Sequence, residues 1–450
     1  MLQMEDTPIQ NRLTLHTVDE HGNPHVFTYD NLTCTLYDES NERVVNDTFN
    51  KYIDSIQKDM HKHREKCDHD LNTKHKNPTH IRISLGDKCN YRCKYCKQEH
   101  HDTRDPYSTE ELDKFIELFS KNLEVTDVDQ IQLWGGEPLI YKKTILYLTK
   151  KFKELYPDVG VFALSNGSLW TKEFVDECIE VGLMLGLSHD GPGQCYRTTD
   201  PLEEGTISRE AILYYWNYVR ENPTNTFSIL LTLTDKNSVD FIATEEYFVN
   251  IFGKDIMYRV NFLPLMIDNA DQHGCQYDTA STEGTPGISF KVLSYLMSRH
   301  MEPCGFTTQT MEFAKLFTRK KFRVCENQVS CFIASPVSIV LDLYGNIIPC
   351  QNYTATSTIR GMSANMGHVS DIDNLIYPKY IKLKDKATKC LSCPVVAMCM
   401  GGCPLNEQPY LSEECKSNFV LYMGMFAYVV FLMTGTLLTS IDGEFSCKSI

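Results

Sequence analysis

From residue 80 onward the chain repeats one pattern: a short apolar run, a polar turn, then an amphipathic segment. The runs are HIRISL (80–85), VDQIQLWG (128–135), VGVFALS (159–165), GLMLGLS (182–188), FSILLTLT (227–234) and YRVNFLPLMI (258–267). Between them, segments such as STEELDKFIELFSKN and YKKTILYLTKKFKELY space their apolar residues at helical intervals. Strands that alternate with helices pair in parallel through crossovers. Six such units over residues 80–268 predict an α/β fold, a partial (β/α)6 TIM-like barrel, two units short of the eight that close one. In barrels of this kind the chemistry sits at the C-terminal ends of the strands. The turn after each run is therefore where function is to be sought.

The first turn, DKCNYRCKYCKQE, carries Cys89, Cys93 and Cys96 in the spacing C-x3-C-x2-C. A cubane 4Fe-4S cluster normally takes four thiolates. Three leave one iron open, as a catalytic centre keeps a position for its ligand. Spacing alone also admits reduced surface thiols, or a zinc knuckle completed by a residue such as His100. The second turn, WGGEPL, places Gly135, Gly136 and Glu137 where backbone can approach a ligand and a carboxylate can receive an ammonium group. The third ends in Ser165 and Asn166, and the fourth, LSHDGPGQCYR, offers Ser188, Asp190 and Arg197. Small polar groups at successive strand tips suit a ribose and a carboxylate together.

With these residues in view, the chain resembles the radical S-adenosylmethionine (radical SAM) superfamily over roughly residues 80–268. The cysteine loop, with Tyr95 before its third ligand, resembles the superfamily signature, and GGEP resembles its second motif. The resemblance implies that Cys89, Cys93 and Cys96 ligate a cluster whose open iron chelates S-adenosylmethionine. It implies that Gly135, Gly136 and Glu137 hold the methionine amine, and that Ser165, Asn166, Ser188, Asp190 and Arg197 line the ribose and carboxylate sites. A one-electron donor such as flavodoxin or ferredoxin is implied with them.

Cysteine density rises again from residue 325. Cys325, Cys331, Cys350, Cys390, Cys393, Cys399, Cys403 and Cys415 follow the pattern C-x13-G-x4-C, a gap, C-x2-C-x5-C-x3-C, a gap, C, counted from Cys331. Eight thiols are what two fully ligated 4Fe-4S clusters require. A four-thiolate zinc knuckle from Cys390, Cys393, Cys399 and Cys403 is the alternative. The spacing resembles the SPASM extension of radical enzymes that modify peptides. By that resemblance one auxiliary cluster takes Cys325, Cys331, Cys350 and Cys403, and the other Cys390, Cys393, Cys399 and Cys415, making three 4Fe-4S clusters in all. Cys34, Cys67, Cys178, Cys195, Cys275, Cys304 and Cys447 fall outside both patterns and read as small buried hydrophobes.

The resemblance implies a peptide or protein substrate and a net oxidation, such as a crosslink or a dehydrogenated residue in a ribosomally made peptide. Sulfatase-maturase-like formylglycine formation is the alternative, and a small-molecule radical dehydrogenase or a non-enzymatic electron carrier remains open. Against the maturase stands Gln351: that subfamily places an Asp base directly after the cysteine of G-x4-C, and glutamine removes no proton. A formal net charge of -15 argues against a sequence-independent grip on nucleic acid. The basic stretch KDMHKHREK (58–66) reads as a solvated helix face.

The opening residues show no basic segment followed by an apolar core, so the expectation is a cytoplasmic protein with reduced thiols. Residues 418–440, NFVLYMGMFAYVVFLMTGTLLTS, are apolar enough for a bilayer span. They start three residues after Cys415 and lack a flanking basic cluster, so they read as a buried or oligomer-facing helix, with a span as the alternative. The organisation expected is a β-rich unit at 1–79 holding a hairpin and one polar helix, the barrel at 80–268, a connecting segment with two helices at 269–324, and a cluster domain at 325–450.

Overall fold

The computed structural model describes residues 11–56, 74–98, 107–128, 130–264, 287–318, 333, 335–375, 388–406 and 410–443. Its strands are β1 Arg12–Val18, β2 Pro24–Asp30, β3 Thr35–Tyr37, β4 His80–Ser84, β5 Gln130–Trp134, β6 Gly160–Ser165, β7 Leu183–Ser188, β8 Ile229–Thr232, β9 Val260–Leu263, β10 Ser338–Asp342, β11 Asn346–Ile347, β12 Thr358–Ile359, β13 Met362–Ser363, β14 Gly367–His368 and β15 Leu437–Asp442. All six repeats read from the sequence appear as β4 to β9, each parallel to the next. Residues 265–267 of the last run lie outside the described residues, as does the basic stretch 58–66.

The helices between strands form for local reasons. Thr109–Asn122 starts on Ser108, whose hydroxyl accepts from the Glu111 amide while the Glu111 carboxylate accepts from the Ser108 amide. Such a reciprocal cap contributes about 1 kcal/mol. Its buried side chains, Leu112, Phe115, Ile116 and Phe119, recur at intervals of three and four and face the sheet. On the strands, Ile81, Ile83, Ile131, Leu133, Val161, Ala163, Leu185, Leu187, Ile229, Leu231 and Phe262 are buried. In β5, β8 and β9 every second residue is buried and its neighbours are half-buried, the period-2 pattern of a sheet with one fully covered face.

Two pairings were not visible in the sequence. β10, from the region read as a separate cluster domain, adds to the sheet beside β4 and parallel to it, with Ser338 opposite His80 and Asp342 opposite Ser84. The sheet order is β14-β11-β10-β4-β5-β6-β7-β8-β9, so the barrel stays open and the boundary expected at residue 325 is no boundary of the sheet. In the N-terminal unit the β1–β2 hairpin forms as expected, and β15 completes it from the far end of the chain, pairing antiparallel with β1.

The apolar segment at 418–440 is corrected in one respect. Its helix spans Tyr410–Thr434 and stops there, and Leu437–Asp442 is β15. Residues Glu413–Thr434 are long and apolar enough to cross a membrane, and 78% of an apolar 18-residue window within them is buried in the protein. Ser289 Oγ donates to the Val420 carbonyl at 2.6 Å, and a Cβ on Gly424 would stand 2.5 Å from the Ser289 carbonyl, so the helix Ile288–Arg299 packs tightly on it.

Candidate functional site

The cysteine loop leaves the end of β4 and is tied down on two sides. On one side the Gly136 amide donates to the Gly86 carbonyl at 3.0 Å and the Glu137 amide to the Lys88 carbonyl at 2.8 Å. A Cβ on Gly136 would sit 2.4 Å from the carbonyl oxygens of Asp87 and Lys88, and one on Gly135 would sit 2.9 Å from that of Gly86. The two glycines are thus needed for backbone to lie against backbone. On the other side the Lys94 amide donates to the Tyr196 carbonyl at 2.9 Å and the Arg92 amide to Thr198 Oγ1 at 2.7 Å.

Cys89, Cys93 and Cys96 line one cavity of about 130 Å³, together with Gly135, Gly136, Glu137, Asn166, Ser188 and Arg197. Burial pushes the thiols of Cys89 and Cys93 up to about 11 and also raises Cys96. A nucleophilic cysteine has the opposite environment. Thiols held neutral by burial, which a bound cation would deprotonate, suit metal ligation.

The strand-tip residues divide into those that face the cavity and those that hold it in shape. Both carboxylate oxygens of Glu137 are engaged by backbone: Oε1 accepts from the Leu139 amide at 3.0 Å and Oε2 from the Asn166 amide at 2.7 Å. Burial raises its pKa while these bonds work against the shift. Asn166 lines the cavity, and its Nδ2 donates to Asn90 Oδ1 at 2.9 Å. Ser165 and Asp190 do not line it. Ser165 Oγ accepts from the Gly167 amide at 3.0 Å and from Trp170 Nε1 at 3.1 Å. Fully buried Asp190 holds Arg197 with two bonds, Nε to Oδ2 at 2.8 Å and Nη2 to Oδ1 at 3.0 Å, and accepts from the Tyr95 hydroxyl. Arg197 in turn lies 5.6 Å from the centre of the Tyr95 ring. Burial works against the guanidinium charge and the Asp190 carboxylate more than offsets it.

A second cavity of about 220 Å³ adjoins the first, sharing Gln98 with it. Ser84, Asp87, Lys97, Gln351, Asn352 and Tyr353 are among its walls. Gln351 is engaged on both of its carbonyl oxygens: Oε1 accepts from Arg82 Nη1 at 2.7 Å and the backbone oxygen from Gln98 Nε2 at 2.7 Å. Arg82 also donates to Gln132 and lies 5.0 Å from the Trp134 ring. None of Asn90, Lys97, Gln98 and Arg82 was singled out from the sequence. Each owes its place to a partner tens or hundreds of residues away, which no local pattern signals.

In the second cysteine field, burial raises the thiol of Cys393, and Cys399, Cys415 and Cys390 raise it further; Cys415 and Cys390 also raise that of Cys399, after burial. Burial pushes Cys399 up to about 12. Cys403 answers instead to Lys97 and Glu414. Cys350 lies just before Gln351, and Cys325 and Cys331 lie outside the described residues. Among the described residues no three Cys, His, Asp or Glu side chains converge tightly enough to share a single metal ion. Of the remaining cysteines, Cys34, Cys178 and Cys304 are buried as expected, Cys195 is exposed, and Cys67, Cys275 and Cys447 lie outside the described residues.

Residues 83–247 match the family model of the radical SAM superfamily. The chain carries a radical SAM domain. Over 351 residues it is 21% identical to the radical SAM cyclopropyl synthase TigE of Paramaledivibacter caminithermalis, covering 72% of this chain and 67% of that protein. Over 109 residues it is 30% identical to the GTP 3',8-cyclase of Rhizobium etli, covering 23% of this chain and 30% of the cyclase. The radical SAM domain and its surroundings share their fold with the solved structure of anSMEcpe with bound AdoMet, at a TM-score of 0.51 and 15% identity over 79% of this chain and 96% of that one. A second structure of anSMEcpe, with AdoMet and the Cp18Cys peptide, gives 0.51 and 16% over 79% and 99%. A central parallel sheet in an open α/β barrel is the fold of these enzymes.

Proposed function

We propose that this chain is a radical SAM enzyme that oxidises a peptide or protein side chain, producing a crosslink or a dehydrogenated residue. The observation that carries the reading is the pair of adjoining cavities: one holds three thiols and strand-tip groups, and the other, beside it, is lined by Gln351, which follows Cys350, and by Lys97. In this reading Cys89, Cys93 and Cys96 hold a 4Fe-4S cluster, and Asn166, Ser188 and Arg197 contact S-adenosylmethionine. When bound, these two groups supply a carbon radical able to abstract hydrogen from an unactivated carbon. Glu137 receives the methionine ammonium on lone pairs left beyond its two backbone bonds, since an ionised carboxylate offers about four acceptor sites.

The chain's own residues then do three things. Asp190 fixes Arg197 and Tyr95, the Gly135–Glu137 turn fixes the cysteine loop, and the larger cavity holds the substrate residue against it. Cys390, Cys393, Cys399 and Cys415 hold one auxiliary cluster, and Cys325, Cys331, Cys350 and Cys403 the other. The peptide complex of anSMEcpe supports a peptide substrate through fold likeness alone. Gln351 argues for crosslinking or dehydrogenation over formylglycine formation, because its amide is engaged by Arg82 and accepts no proton.

The test is anaerobic reconstitution with about twelve irons expected per chain, four for each of three clusters. It is followed by incubation with S-adenosylmethionine and a candidate peptide deuterated at the reacting site. The expected product is lighter by two hydrogens, with S-adenosylmethionine consumed in proportion. Exchange of the site's deuterium for hydrogen with inverted chirality, or formylglycine at Ser or Cys, would refute the proposed reaction.

A further inference from the structure

The second cavity and the second cysteine field are joined by one row of hydrogen bonds. Lys97, which follows Cys96, lines the cavity, and its Nζ donates to Asn406 Oδ1 at 3.2 Å. Asn406 Nδ2 donates to Glu414 Oε2 at 2.6 Å, and Glu414 Oε1 accepts from the Cys403 amide at 2.9 Å. Asn406 is 6% exposed and Glu414 is 9% exposed, so the row runs through the interior. An ammonium group only donates and an ionised carboxylate only accepts, so the amide between them can stand in one orientation only.

Glu414 is unusual in what it touches. It precedes Cys415 on the helix Tyr410–Thr434, yet its carboxylate reaches back eleven residues to the turn that carries Cys403. Gly402 stands under that carboxylate at φ +74°, and a Cβ there would approach the carboxyl carbon to 3.1 Å. One buried carboxylate thus joins the turn of Cys403 to the helix of Cys415, cysteines of the two proposed auxiliary sets, and the opposite charge of Lys97 stands at the second cavity.

We propose that Glu414 is the positioning residue of the second cysteine field: it locks the Cys403 turn to the helix bearing Cys415 and, opposed by Lys97, sets the charge around the clusters those thiols hold. This rests on the reading that the field binds iron-sulfur clusters. Negative charge beside a cluster disfavours an added electron and positive charge favours it, and net charge and hydrogen bonding are established controls of cluster potential. The row places the favouring charge toward the substrate and the disfavouring one beyond it.

The experiment removes the first loop's ligands with Cys89→Ala, Cys93→Ala and Cys96→Ala in one chain, so that the remaining iron signals belong to the second field. Glu414→Gln and Lys97→Gln are then added singly, and each protein is titrated against potential by electron paramagnetic resonance. Glu414→Gln is expected to shift the equilibrium about tenfold toward the reduced form, about 59 mV upward for a one-electron step. Lys97→Gln is expected to shift it downward by less. Loss of iron in Glu414→Gln supports the locking role, and Lys97→Gln then carries the test of sign. Shifts in the same direction, or no shift with iron intact, overturn the proposal and leave the cluster reading standing. Absence of iron in the triple variant overturns both.

Discussion

Residues 87–98 and residues 390–415 present the same ligand atom in opposite surroundings. The first loop faces a cavity and is held by backbone contacts that tolerate no side chain at Gly136. The second field is packed between the long apolar helix and the N-terminal sheet. Asn31, just after β2, donates through Nδ2 to the carbonyls of Leu391 and Cys393, both at 2.8 Å. Tyr29 stacks on Phe317 with ring centres 5.4 Å apart and packs on Phe426 at 4.9 Å. Burial raises Cys89 and Cys93 to about 11 and takes Cys399 to about 12. The cysteines of both regions are half-buried, so the difference lies in what adjoins them, a cavity lined by strand-tip groups in one case and packed helix and sheet in the other.

The contrast breaks most sharply at the cysteines. Cys93→Ala is expected to reduce S-adenosylmethionine cleavage to background, whereas Cys393→Ala is expected to leave abortive cleavage measurable and to stop product formation. Chromatography of 5'-deoxyadenosine together with mass spectrometry of the peptide checks both. Equal, complete loss from both variants would erase the distinction between the cavity-facing loop and the packed field.

Next in size is Gly136→Ala. Its Cβ would overlap two carbonyl oxygens, and overpacking of this kind costs about 1–3 kcal/mol. Because the displaced atoms belong to the cysteine loop, iron bound by that loop is expected to fall while iron in the second field persists. Iron analysis of this variant beside the triple cysteine variant separates the two pools.

Glu137→Gln removes one acceptor from a buried pair of amide partners. Leaving one of those N–H groups unpaired costs about 1–3 kcal/mol. Calorimetry is expected to show weaker cofactor binding and a lower melting temperature with the second field's iron unchanged. An affinity equal to that of the unaltered protein would make Glu137 a turn residue alone.

The smallest effect is expected from Asn31→Ala, which removes two hydrogen bonds worth about 1 kcal/mol each. Its prediction sharpens the comparison from the other side: denaturant stability and second-field iron should fall modestly, with cleavage by the first loop unaffected. A loss confined to the first loop would contradict the packing of the N-terminal sheet on the second field.

What the sequence made legible were features with a short period. The six strands follow from apolar runs, and the loop thiols and glycines follow from motifs contained in single turns. The placement of Asn166, Ser188 and Arg197 at one cavity also follows, because parallel strands bring their tips to one end. Ser165 and Asp190 show the limit, since a polar residue at a strand tip can face the ligand or hold its neighbour. Only the bond of Ser165 to Trp170 and the double bond of Asp190 to Arg197 separate the cases. β10 beside β4 and β15 beside β1 were illegible because pairings across hundreds of residues leave no trace in local pattern.

The pairing of β1 with β15 sets a schedule for synthesis. The β1–β2 hairpin is complete within the first thirty or so residues, but its fourth strand emerges about 400 residues later. At roughly 5–20 residues per second the ribosome takes tens of seconds to deliver it. Throughout that interval the edge of β1 stands without its native partner, and the long helix that covers the second cysteine field is also unmade. Whatever Cys415 ligates can therefore be completed only late in synthesis, once the helix that carries it has been made.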